Sequence, residues 1–199
     1  MDNTDDKNLD TLVSEITEFN EITLADIPNI DLYMDQVTTL FENKLYPLKR
    51  NEDDKIMTKT MINNYAKAKI FPPVKSKKYT KEQIILLSLI YNLKQSLSLA
   101  DIGKIFKPVA KDMTEENKEL ISVENLYDTF LELKKEDENN FNEHFYKLLD
   151  RTKSKLKNLD NGENINNELI LMVLNLIAEA NMNIRMSQKI IDNFLNEKK

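Results

Sequence analysis

The chain has 199 residues, of which 41% are apolar and 31% charged, with a formal charge of −6, the balance of a soluble protein of one ordinary or two small domains. With no cysteine, one histidine and two glycines, it excludes disulfides, thiolate metal sites, a cysteine nucleophile, a histidine triad and a Gly-rich phosphate loop. The carboxylates fall mostly on what read as solvated helix faces, so the expectation is a protein that is not an enzyme and uses no cofactor or metal.

Residues 1–25 are acidic and carry Leu9, Leu12, Val13, Ile16 and Phe19 at three- and four-residue spacing, which predicts a short amphipathic helix packed on the body. Ile27 to Asp31 read as a turn leading into a helix from Leu32 to about Leu45, stopped by Pro47. A charged loop follows, then a helix from Lys55 to Lys69 with Thr58 as a plausible N-cap, ended by Pro72-Pro73. Val74 to Tyr79 form a polar ribbon without a Gly turn, so two proper strands are not expected there.

Thr80-Lys81-Glu82-Gln83 has the spacing of a capping box and opens a helix through Leu93, apolar nearly all round and therefore central. Ser98 caps the next helix, which Pro108 is expected to end. From Thr114 onward everything reads as helix, broken by a turn at Asp160-Asn161-Gly162. The last helix runs from about Asn164 to Leu195, with heptads too irregular to specify a coiled coil. Its methionines, Met172, Met182 and Met186, read as core, and His144 as a core or surface residue rather than a ligand. An acidic start and apolar runs shorter than a membrane span point to the cytoplasm, with no membrane partner.

Charge is strongly segregated. Lys55 to Lys81 holds eight lysines and no Asp or Glu, so this segment carries +8 and the remainder −14. Within it, Lys59, Thr60, Asn63, Asn64 and Lys67 form one stripe opposite the apolar side of their helix, and Tyr65 and Tyr79 are interleaved. Lysine neutralises phosphate and Asn can bond adenine through two groups, so the pattern is that of a DNA-binding surface. The candidate residues are Lys59, Thr60, Asn63, Asn64, Tyr65, Lys67, Lys75, Lys77, Lys78 and Tyr79, of which Tyr65 reads equally as a phosphate contact or as filling the base of its helix.

Thr60 to Tyr65 followed by Ile70-Phe71-Pro72-Pro73, then Tyr79-Thr80-Lys81-Glu82, then Leu97 to Ile102, resemble in order and spacing the DNA-binding domain of MerR-type regulators. Within that group, Asp31 to Gln36 with Thr58 to Tyr65 resemble an uncharacterised bacterial (low-GC Gram-positive) family with a MerR-like domain. The resemblance covers about residues 26–106. Asn63 and Asn64 stand where the pattern has Arg and Tyr, and Lys69 where it has Gly. It implies a mainly α fold, with a winged helix-turn-helix domain at 26–107 after an N-terminal arm (1–25) and before a helical C-terminal domain (108–199). The expected function is a sequence-specific transcriptional regulator binding double-stranded DNA as a homodimer. A small-molecule effector held by the C-terminal domain would be an addition to it. The rival expectation is a protein–protein adaptor that keeps the scaffold without DNA binding.

Overall fold

The computed structural model describes residues 3–18, 21–115, 120–159 and 164–195. The fold is mainly helical: α1 (Asn3–Ile16), α2 (Met34–Leu45), α3 (Lys59–Lys67), α4 (Lys81–Leu93), α5 (Leu99–Asp112), α6 (Val123–Leu156) and α7 (Ile165–Phe194). A small antiparallel sheet pairs β1 (Leu32–Tyr33) with β2 (Lys78–Tyr79), in the register Leu32↔Tyr79 and Tyr33↔Lys78. The chain divides into two compact units, one of Met1–Phe19 with Leu133–Met186, the other of Asn20–Glu132 with Ser187–Lys199.

In the second unit α4 is the post around which the rest is built. Thr80 and Gln83 close the expected capping box, with Thr80 N–H donating to Gln83 Oε1 at 3.0 Å and Gln83 N–H to Thr80 Oγ1 at 3.4 Å. Every residue from Gln83 to Ile90 is buried, and each large apolar side chain among them contributes about 1.5–3 kcal/mol by leaving water. The polar members are satisfied: Gln83 Nε2 donates to Pro72 O at 2.9 Å, and Ser88 Oγ to Ile84 O at 3.1 Å. Tyr127 of α6 is fully buried and donates to Ile22 O at 2.6 Å. Burial, reinforced by the negative charge of Glu21, pushes its hydroxyl pKa far above the ordinary tyrosine value.

Several boundaries differ from those expected. Leu32 and Tyr33 are a strand, because β2 offers them a partner; α2 begins two residues later than expected, at Met34, with Tyr33 N–H donating to Gln36 Oε1 at 2.8 Å. Thr58 does cap α3, accepting from Met61 N–H at 3.2 Å, so that helix starts at Lys59 rather than Lys55. Pro108 does not end α5. It lies on the exposed side, and the buried face of Ile102, Gly103, Phe106 and Ala110 carries the helix on to Asp112. Burial of Ile102 and Phe106 offsets the roughly 3 kcal/mol of a mid-helix proline. Leu120 to Ser122 are not helical, and Ser122 caps α6 by accepting from Asn125 N–H at 3.1 Å.

In the first unit, α6 and α7 pack through Leu148, Leu149 and Met172, with Leu9 of α1 against the same cluster. The expected packing of the N-terminal helix is found in part: Leu9 packs and Val13 is buried, whereas Leu12 and Ile16 are exposed. Phe19 and the turn at 160–162 lie outside the described residues. His144 Nε2 meets Glu179 at 2.8 Å, with both side chains open to solvent. Met172 is core, whereas Met182 and Met186 are exposed. By length and composition α7 is able to cross a membrane, contrary to the expectation that no segment is, and 6% of its apolar window is buried.

Tyr127→Phe keeps the ring and leaves the Ile22 carbonyl without its buried donor. The expected loss is about 1–2 kcal/mol of stability, read from a lower urea midpoint at unchanged slope.

A candidate nucleic-acid interface on α3 and the ribbon

Seven of the nine residues of α3 divide into two sides, with Met61 half-buried and Ala66 exposed between them. Ile62 and Tyr65 are buried, while Lys59, Thr60, Asn63, Asn64 and Lys67 are exposed along the opposite side. The helix ends in a Schellman motif: Lys69 N–H donates to Ala66 O at 3.0 Å and Ile70 N–H to Tyr65 O at 3.1 Å, with Ile70 fully buried beyond. That motif needs a left-handed residue at Lys69, which has φ 55°. Glycine takes this conformation freely; for lysine it costs roughly 1–2 kcal/mol.

The same conflict recurs eight residues on. Lys78 N–H donates to Lys75 O at 2.9 Å, and the two residues between, Ser76 and Lys77, have φ 52° and 59°. This is a two-residue hairpin turn of the primed kind, which usually carries Asn-Gly. As expected, the ribbon does not form two proper strands of its own: β2 is its one strand. The bridge of Lys75 to Lys78 and the pairing of β2 with β1 hold it without a glycine.

Neighbours fix the approach to both elements. Lys94 Nζ donates to Lys55 O at 3.2 Å and to Ile56 O, and lies 4.6 Å from the Tyr91 ring centre. It ties the loop before α3 to the end of α4, and burial lowers its pKa. Lys78 Nζ sits 5.1 Å from the Tyr33 ring centre, which holds it along β1. Neither Lys94 nor Tyr33 stands out in the sequence, because their roles depend on backbone carbonyls and a ring brought close only by folding.

Of the candidate residues, Lys59, Thr60, Asn63, Asn64, Lys67, Lys75 and Lys77 are exposed, and Lys78 is half-buried. Tyr65 and Tyr79 are buried, and burial raises the pKa of each; Tyr79 packs against Phe71 with ring centres 6.3 Å apart. These two are core residues beneath the surface, a correction to their inclusion as contacts: an aromatic beside the lysines fills the apolar side of a short helix or ribbon. Two lysines of the run are engaged, Lys59 with Asp35 and Lys81 with Glu124 at 3.1 Å. A groove of about 640 Å³ lies beside the ribbon, lined by Lys75, Lys78, Gln83, Asp112 and Glu124 among others.

Residues 22–130, more than half of the chain, match the family described as a domain of unknown function, DUF1836. The chain belongs to this family. The matched span lies within the unit built around α4. No curated protein and no solved structure matches the chain. The resemblance to MerR-type regulators is overturned by this match, which is to DUF1836 and to no MerR or winged-helix family. The pieces that carried it are generic: a helix stop before a Pro-Pro turn, a capping box and a Ser-capped helix are local signals for α3, α4 and α5.

Lys69→Gly and Lys77→Gly each relieve a left-handed lysine. After allowance for the freer unfolded chain, each is expected to stabilise by roughly 0.5–1 kcal/mol, measured as a raised urea midpoint.

Proposed function

We propose that the chain is a sequence-specific DNA-binding transcriptional regulator that acts as a homodimer in the cytoplasm. The observation that supports this reading is the exposed side of α3, made of Lys59, Thr60, Asn63, Asn64 and Lys67, followed by a ribbon that exposes Lys75 and Lys77.

In this reading Lys59 and Lys67 hold phosphates from α3, and Lys75, Lys77 and Lys78 do so from the ribbon. Thr60, Asn63 and Asn64 face base edges in the major groove, whose width admits one helix. Lys59 exchanges Asp35 for a phosphate on binding; both side chains are well exposed, so the lost ion pair is worth little. The −14 on the remaining residues repels DNA elsewhere and confines it to this face.

A protein–protein adaptor is the second reading, favoured by the exposed Asp31 and Asp35 on the chain just before and at the start of α2. Salt separates the two. For a regulator, log affinity for duplex DNA falls steeply with log salt, and each of Lys67→Ala, Lys75→Ala and Lys77→Ala reduces the slope by about one. A flat salt response, with the protein washing through heparin at low salt, overturns DNA binding and leaves the adaptor.

A further inference from the structure

The first half of α7 has two apolar sides. One is covered by α6 through Met172, and Glu179 on that side faces His144. The other is bare: Ile170, Val173, Leu174 and Ile177 are 57–60% exposed. Along it, residues 170, 174, 177, 181 and 184 alternate spacings of four and three, the repeat of a helix seam. Asn181, at the fourth of these positions, is exposed.

We propose that this side of α7 is the seam for a second copy of the chain. The two helices lie parallel, with Asn181 paired to the partner's Asn181. The proposal rests on the homodimer of the proposed function and says where it forms. The bare side presents roughly 500 Å² of apolar surface per copy, so two copies together reach the ~1,000 Å² at which specific interfaces begin. Between Glu168 and Arg185 the one charged residue is Glu179, which faces α6, so two copies meet without like-charge repulsion. In a parallel pair, Asn181 finds its own amide across the seam and sets the register. An antiparallel pair with its two-fold axis at Ile177 sets Asn181 against Val173 and leaves that amide without a partner. A bilayer is the poorer occupant, because α6, packed alongside, exposes Glu143 and Lys147 and would carry them into the hydrocarbon.

The absence of native cysteine makes the test direct. The full chain is expected to sediment at twice 23.3 kDa. Ile177→Asp, at an exposed position, should weaken the dimer at least about a hundredfold while the helical circular dichroism persists. Under mild oxidation Ile170→Cys, Ile177→Cys and Asn181→Cys should each cross-link to themselves. Cross-linking of Ile177→Cys alone means an antiparallel pair and overturns the Asn181 pairing. A dimer unaffected by Ile177→Asp overturns the seam but keeps the homodimer. A monomeric wild type overturns both, and flotation of the protein with phosphatidylcholine–phosphatidylglycerol vesicles overturns the seam. The salt response of DNA binding is read separately in each case.

Discussion

The unit that carries the candidate interface depends on one constraint: α4 is buried from Gln83 to Ile90 without a break. A helix apolar on all sides must be covered on all sides. The covering elements are drawn in by specific groups: Phe41 of α2 meets Tyr91 edge-on at 6.4 Å, and Gln83 holds the Pro72 carbonyl after α3. Lys94 holds the loop before α3, and Tyr127 ties α6 to Ile22. Each attachment consumes the apolar side of a neighbour, so what α3 and the ribbon turn outward is what remains, Lys, Thr and Asn.

That outward surface is kept at a local cost. Lys69 closes the cap of α3 and Lys77 the ribbon turn, both in a backbone region where a side chain costs energy. The buried anchors on either side, Ile70 and Tyr79, over-determine the geometry, so the strain persists without melting the turns. The stability of the core and the charge of the surface are thus linked through a few residues. At Lys69 and Lys77 a substitution that relaxes the backbone also removes a cation, whereas at Ser76 it does not.

Much of this was legible in the residues. The Thr58, Thr80 and Ser98 caps, the buried stretch after Gln83 and the polar stripe on α3 follow from spacing and side-chain chemistry, and the structure has them where the pattern places them. What escaped depends on contacts distant in sequence. Leu32 and Tyr33 become a strand because β2 lies beside them, and α5 runs through Pro108 because Ala110 is wanted in the core. The tight turn at Ser76 and Lys77 was hidden because it lacks the residues such turns prefer. Tyr79 looked like a contact and is buried, and Tyr65, open to either reading, is buried too, since proximity to lysines in sequence does not say which side of a helix or ribbon a ring takes. The irregular heptads of α7 arise from two apolar stripes superposed on one helix, one facing α6 and one bare.

The central claim, that the lysine-flanked face of α3 reads DNA, is tested most directly by binding the purified protein to fragments of its own genome. This is done in about 0.15 M salt, with sequencing of what is recovered. The account predicts a few enriched sites with dyad symmetry, and loss of that enrichment in a protein carrying both Asn63→Ala and Asn64→Ala. Recovery without enrichment at any site, together with weak binding at low salt, would contradict it.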